Sequence, residues 1–126
     1  MSDIKKVDKS WGNEEWIVNN NLYCGKILNL KPGFQGSIHY HKNKHETFYL
    51  LEGQVLLELP PNKTKILNPG DVQILSPLTK HRFTPLKHSK IIEFSTHHED
   101  SDTYRDTKSG PITQETLQKL KQESGL

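Results

Sequence analysis

Four side chains of metal-binding type, spread over three predicted strands, constrain the fold of this chain more than any other feature. His39 and His41 are two apart, Glu46 precedes the next apolar run, and His81 follows forty residues after His41. Residues two apart in an extended strand point to the same face, so His39 and His41 would face one way together. Three imidazoles and a carboxylate suit a divalent transition metal. A β-barrel with these four side chains in its interior is the simplest fold that brings them together.

The spacing of glycines around these residues separates a metal site from a chance pair of surface histidines. The chain has seven histidines, so His39 and His41 alone could equally lie on an exposed strand. From Gly33 to Gly53, however, the sequence follows the pattern G-x5-H-x-H-x4-E-x6-G, and Gly70 stands eleven residues before His81. These two stretches resemble the two sequence motifs of the cupin superfamily. The second stretch lacks the glycine that the family places two residues after its proline, and it is one residue shorter there.

The cupin resemblance implies a fold and a ligand set. The fold is an all-β, single-domain double-stranded β-helix, or jelly-roll barrel, here with a short C-terminal helix. The implied ligands of one divalent metal are His39, His41, Glu46 and His81. Zn or Mn is favoured, with Fe, Co and Ni as the other candidates.

A narrower resemblance concerns the cupin-type phosphomannose isomerases and spans about residues 9–105. It rests on short strings: Lys9-Ser10-Trp11-Gly12 with Glu14-Glu15-Trp16, Gly25–Leu28, Ser37–His41, Ile92-Glu93-Phe94, and Glu99–Arg105. The resemblance implies a metal-dependent sugar or sugar-phosphate isomerase, with Lys26, Glu93 and Arg105 as substrate-binding or proton-transfer candidates. Arg105 could hold a phosphate or carboxylate, or form a surface ion pair instead.

Turn signals divide the chain into short apolar runs, as in an all-β barrel or sandwich. Predicted strands are 24–31, 36–41, 47–52, 54–60, 63–67, 72–76, 81–85 and 90–96, within a barrel of about 22–96. Residues 1–10 are a loose arm or an edge strand, and 97–111 are a polar loop that includes His97 and His98. Thr113 can cap a helix over 114–123, whose Leu117 and Leu120 would dock on the barrel wall or on a partner subunit.

The ligands set which side chains of their own strands point inward. Ser37 shares the face of His39, while Phe48 and Phe83 would form an apolar wall that contacts substrate. The predicted strands 90–96 and 24–31 contain no candidate ligand, so the ligands do not show which of their faces points inward. In 90–96 either Ile92 and Phe94 or Glu93 and Ser95 face in, and Lys26 shares its face with Leu28 and Leu30, which could be an exposed face.

Length, composition and net charge limit the size of the core, the possible binding partners and the location of the protein. A chain of 126 residues forms one domain, and 32% hydrophobic content indicates a small core that a homodimer or a metal would complement. A net charge of +2 with no basic stripe argues against nucleic acid, and no apolar run is long enough for a signal peptide or a membrane span. Cys24 is the only cysteine, which excludes an internal disulfide and predicts a cytoplasmic location. Lys42-Asn43-Lys44 is interpreted as a solvated loop tip that could also attract an anion.

Three functions remain open at this stage. A site with four protein ligands leaves one or two positions for substrate, so a metal could act as a Lewis acid on a sugar carbonyl and its neighbouring hydroxyl. Glu93 and Lys26 would then transfer protons through an enediolate and interconvert an aldose and a ketose. The alternatives are an iron-dependent dioxygenase and a cupin that binds or senses a small molecule without catalysis.

Overall fold

The structure is a computed structural model that describes residues 4–125. Within these residues, thirteen short strands, one 3₁₀ turn and one helix follow one another. They are β1 (Lys5–Lys9), β2 (Gly12–Asn19), β3 (Cys24–Leu30), β4 (Phe34–Gln35), β5 (His39–His41), β6 (Glu46–Glu52), β7 (Val55–Leu59), β8 (Lys63–Leu67), β9 (Val72–Leu75), β10 (Arg82–Pro85), β11 (Ser89–Ser95), the 3₁₀ turn (Asp100–Asp102), β12 (Thr103–Arg105), β13 (Gly110–Pro111) and α1 (Gln114–Glu123).

The strands form two layers. One layer is a six-stranded antiparallel sheet with the order β1-β2-β3-β11-β6-β9, and the other contains the three-stranded sheet β10-β7-β8 and the pairs β12-β5 and β13-β4. An antiparallel bridge between His39 and His81 joins β5 to the start of β10. The predicted all-β jelly roll with a short C-terminal helix is therefore confirmed, and the predicted strands match β3 and β5–β11 to within a few residues.

The core lies between the layers because the strands of the large sheet alternate with period two. In β3 every second residue is buried, and the same alternation holds in β11 from Ser89 to Glu93 and in β6 from Glu46 to Leu50. Their apolar members pack against residues of the smaller layer in one cluster that includes Leu28, Leu50, Ile91 and Leu57. At the turn between β6 and β7, Gly53 has φ of 97°, and a Cβ there would collide with Ser89 Oγ and the His88 carbonyl. This glycine is required both for the backbone conformation and for the close approach.

Two segments contain more regular structure than the sequence predicts. The hairpin of β1 and β2 extends the large sheet from Lys5, well before residue 22, with β1 as an edge strand. The segment 97–111 contains β12 and β13, which pair with β5 and β4. The pairings of β12 and β13 join residues that are distant in sequence, and β1 consists mostly of charged residues, so hydrophobic alternation gives little sign of either segment.

The C-terminal helix docks on the outside of the smaller layer. Thr113 Oγ1 accepts the backbone N–H of Thr116 at 3.0 Å and so caps the helix. Leu117 is buried against Leu56 and Leu86, and Leu120 packs beside it. The structure thus shows the helix docked on the barrel wall, which is one of the two positions predicted for it.

Candidate metal centre and its cavity

The histidine triad, His39, His41 and His81, lies inside the barrel. One ring nitrogen of each residue lies within 4.8 Å of the others. Donors bound at about 2.0–2.1 Å to a single ion lie roughly 3–4 Å from one another, so the triad is close to the size that a metal requires. His39 and His41 come from β5, and the bridge between His39 and His81 brings in the third imidazole.

Hydrogen bonds to the backbone fix the tautomer of all three rings. Nδ1 of His39, His41 and His81 donates to the carbonyls of Ser37, Asp102 and Thr79 at 3.0, 3.1 and 3.0 Å. With the proton on Nδ1, each Nε2 keeps its lone pair free, which is the arrangement usual for metal-binding histidines.

The electrostatics of the triad also fit a metal. Burial, together with the neighbouring imidazoles, lowers the pKa of His39 to about 2, and burial with nearby Lys44 lowers the pKa of His41 to about 4. Burial likewise lowers the pKa of His81. The three rings are therefore neutral at pH 7, as metal ligands must be.

Glu46 completes a four-residue set around the same point. Its Oε1 lies 3.5 Å from His41 Nε2, and its Oε2 lies 3.6 Å from His81 Nε2. Three imidazole lone pairs and a carboxylate thus converge on one point inside the barrel, a donor set that suits a divalent cation. The residues present thus fit a divalent metal, with Glu46 as a candidate fourth ligand beside the triad.

Lys44 was wrongly predicted to lie at a solvated loop tip. Only 3% of its surface is exposed, and its Nζ lies 3.0 Å from Glu46 Oε1 and 2.7 Å from Glu93 Oε2. Burial disfavours the ammonium, but the two carboxylates outweigh burial and raise its pKa above the usual value. Its neighbours Lys42 and Asn43 are exposed, as predicted. Nothing in the local sequence distinguishes the buried lysine from the exposed one.

The structure resolves the orientation of β11 and β3 that the sequence left open. Glu93 is buried, whereas Phe94 is 56% exposed, so the Glu93 face of β11 points inward. Lys26 is buried on the face of β3 that carries Leu28 and Leu30. The register pairs Glu93 with Lys26 on one side and with Phe48 on the other, so these three side chains form a row across the sheet.

The positive charges of Lys44 and Lys26 both stabilise ionised Glu93, and Glu14 forms an ion pair with Lys26. Burial opposes ionisation of Glu93, but Lys44 and Lys26 outweigh it and keep its pKa below the usual value. Ser95 Oγ also donates to Glu93 at 2.8 Å. Lys26 Nζ donates to Glu14 Oε1 at 3.3 Å and lies 4.2 Å from the centroid of the Trp16 ring, a cation–π contact. The site therefore contains one buried ionised carboxylate flanked by two ammonium groups.

A cavity of about 110 Å³ connects these groups. The triad, Glu46, Glu93, Lys26 and Lys44 line it, and Phe48 and Phe83, whose ring centroids are 4.8 Å apart, supply the predicted apolar wall. Arg105 is exposed beside the cavity and, among residues 4–125, forms no ion pair. Its guanidinium is therefore available to a ligand.

His98 also lines the cavity, although it was predicted to belong only to a polar loop. Its Nδ1 accepts from Lys44 Nζ at 2.9 Å, and its Nε2 donates to Asp100 Oδ1 at 2.9 Å. The imidazole therefore links the buried lysine to the segment that follows β11. The only sequence feature that indicates this role is that His98 directly precedes Glu99-Asp100.

The fold is that of a small jelly-roll β-barrel whose interior contains a histidine triad that could hold a metal ion. The family model described as the cupin domain matches residues 26–91, just over half of the chain. The chain therefore belongs to the cupin family.

Among curated proteins, the chain is similar to a D-lyxose/D-mannose isomerase of Thermosediminibacter oceani. The two are 31% identical over 119 residues, which cover 72% of this chain and 66% of the isomerase. The chain thus spans just under two thirds of that relative.

Solved structures support the fold. A variant of oxalate decarboxylase from Bacillus subtilis has a TM-score of 0.73 at 16% identity and covers 82% of this chain, which in turn spans 30% of the decarboxylase. Ectoine synthase from P. lautus has a TM-score of 0.71 at 19% identity, covering 86% of this chain and 84% of the synthase. Within residues 4–125 no helix has the length and apolar character needed to cross a membrane.

Proposed function

We propose that this protein is a metal-dependent sugar or sugar-phosphate isomerase that interconverts an aldose and a ketose. The observation that carries the proposal is that a carboxylate and two ammonium groups line the cavity that also contains the histidine triad. The similarity to a D-lyxose/D-mannose isomerase supports the same class of substrate.

The triad and Glu46 would hold one divalent ion, with Zn or Mn favoured. When bound, such an ion supplies Lewis acidity to a carbonyl and its adjacent hydroxyl. The neutral imidazoles leave most of the ion's charge uncompensated, since Glu46 alone among these ligands can carry a negative charge.

Glu93 is the proposed base. The flanking lysines keep it ionised, so it can take the proton from the carbon next to the carbonyl of the substrate. The electron pair left behind forms the carbon–carbon double bond of an enediol, and the carbonyl π electrons move to oxygen. Glu93 then returns the proton to the former carbonyl carbon, while one proton moves from the old hydroxyl oxygen to the new one.

Lys26 is the proposed acid for that oxygen-to-oxygen transfer, and Lys44 stabilises negative charge beside it. Both ammonium groups lie inside the barrel, where exclusion of water strengthens their interaction with a developing oxyanion. Phe48 and Phe83 would contact the carbon skeleton, and Arg105 would bind a polar or anionic end of the substrate at the rim.

A screen of aldoses and their phosphates in deuterated water tests the proposal. With Mn²⁺ or Zn²⁺ and without oxygen, we expect a ketose product, with deuterium at carbon in the turnovers where protonated Glu93 exchanges with solvent before it returns the proton; both are visible by NMR. Glu93→Gln should lower kcat by about 10²–10⁴-fold with little change in KM. Glu58→Gln is the matched control, because Glu58 pairs with Arg82 outside the cavity.

The alternative functions give different outcomes in the same screen. Oxygen consumption that requires iron would indicate a dioxygenase. Saturable binding of a sugar with no deuterium exchange would indicate a binding protein. Unchanged turnover in Glu93→Gln would remove Glu93 as the base. A homodimer and a cytoplasmic location are further parts of this proposal, based on the small core and the single cysteine.

A further inference from the structure

Asp102 lies where the segment after β11 meets the loop between β5 and β6. Its carboxylate is buried and receives three consecutive backbone N–H groups of that loop. Oδ1 accepts from Lys42 at 2.9 Å and Asn43 at 3.3 Å, and Oδ2 accepts from Asn43 at 3.2 Å and Lys44 at 3.1 Å.

The main chain of the same residue contacts the triad. The Asp102 carbonyl accepts Nδ1–H of His41 at 3.1 Å, and β12, which begins at the next residue, pairs with β5 by a Thr103–His41 register. Asp102 therefore contacts the imidazole of His41 through its backbone carbonyl. Through its carboxylate it contacts the backbone of residues 42–44, which follow His41.

We propose that Asp102 is a positioning residue that sets both the ring orientation of His41 and the burial of Lys44. Hydrogen bonds to an ionised carboxylate are stronger than neutral ones, so they can hold the backbone of residues 42–44 in a tight turn. That turn directs Lys44 Nζ inward to Glu46 and Glu93 although Lys42 and Asn43 remain exposed.

This role concerns the metal site of the proposed function but does not depend on isomerase activity. The test uses Asp102→Asn in the full chain. The amide keeps the size of the side chain, but its NH₂ group cannot accept from Asn43 or Lys44. The loop should loosen, and the carbonyl that orients His41 should shift with it.

Metal binding is measured with Co²⁺ by calorimetry and by the visible spectrum of the bound ion. We expect Asp102→Asn to weaken Co²⁺ binding by about 10–100-fold, the usual effect of removing a group that orients a metal ligand. The spectrum should also change, which a general loss of stability would not cause.

Ser89→Ala is the matched control. Ser89 is likewise a buried polar residue that bridges a turn, with its Oγ accepting the N–H of Gln54 at 3.0 Å, but it does not line the cavity. Ser89→Ala should lower the free energy of unfolding and leave Co²⁺ affinity and spectrum unchanged.

Hydrogen exchange of the wild-type protein provides a test that needs no variant. The amides of Lys42, Asn43 and Lys44 should exchange slowly despite the exposure of the first two residues, and rapid exchange would overturn the inference. Equal Co²⁺ affinity and spectrum in wild type and Asp102→Asn would also overturn it. A wild-type protein that binds no Co²⁺ would instead contradict the metal site itself.

Discussion

Lys44 offers the sharpest test of the site, since one substitution removes the ammonium shared by two buried carboxylates. Lys44→Met keeps an unbranched side chain, one atom shorter, but leaves Glu46 and Glu93 without the ammonium that lies 3.0 and 2.7 Å away. Removing one member of a buried ion pair costs about 3–5 kcal/mol, because the remaining charge is neither solvated nor paired. We expect a loss of that size for the metal-free protein at pH 7.

Lys90→Met is the reference for this prediction. Lys90 pairs with Glu52 at 3.8 Å, but the two side chains are 39% and 65% exposed, so the pair should contribute no more than about 1 kcal/mol. The two variants thus remove the same group from a buried and from a solvated pair. The difference between them isolates the effect of burial.

Urea unfolding of the metal-free proteins measures both values. The midpoint should fall far more for Lys44→Met than for Lys90→Met, at an unchanged slope. The double variant Lys44→Met/Glu93→Gln should lose less than the sum of the single variants, with a coupling of about 1–3 kcal/mol. A loss in Lys44→Met no larger than in Lys90→Met would refute the reasoning, since Lys44 would then be solvated.

Three further predictions concern the turns, the helix and the buried histidines. Gly53→Ala should lower the free energy of unfolding by more than the roughly 1–2 kcal/mol of backbone strain alone, because its Cβ would collide with Ser89 Oγ. Gly70 has φ of 94°, but a Cβ there would meet no atom within 4 Å, so Gly70→Ala should cost the backbone strain only. Equal losses in urea unfolding would contradict the collision. Thr113→Ala should cost about 1 kcal/mol in the same assay, and no loss would show that the cap is dispensable. Without metal, stability should fall from pH 7 to pH 5, because burial lowers the pKa of all three triad histidines and the unfolded chain therefore binds more protons. Burial raises the pKa of Glu46 to about 7 and offsets one of these three protons, so these four groups give about 2.7 kcal/mol per pH unit for two net protons, and the lowered pKa of His98 adds in the same direction; a stability that is unchanged or higher at pH 5 would contradict this.

Much of the fold could be predicted because the relevant signals are local. Alternation with period two located β3 and β6, and the Glu52-Gly53 signal located the turn between β6 and β7. The His39/His41 spacing places two imidazoles on one face whatever the rest of the chain does. Leu78 is an exception: it adopts φ of 70° close to where the family motif has a glycine, a conformation that its sequence does not favour.

The remainder of the site depends on contacts between distant segments. Sequence alternation separates the two faces of β11 but does not show which face points inward. Only packing against β3 and β6 places Glu93 inside the barrel and Phe94 on the surface. The burial of Lys44 depends on Glu93 and on Asp102, which lie about half the chain away.

The sequence by itself determined the types and spacing of the candidate metal ligands, the strand period and the glycine at the turn between β6 and β7, because each of these acts over a few bonds. Only the tertiary structure decided which charged side chains enter the barrel. Burying a lysine or a glutamate is unfavourable unless a partner compensates its lost hydration, and the partners here come from strands that meet only after folding.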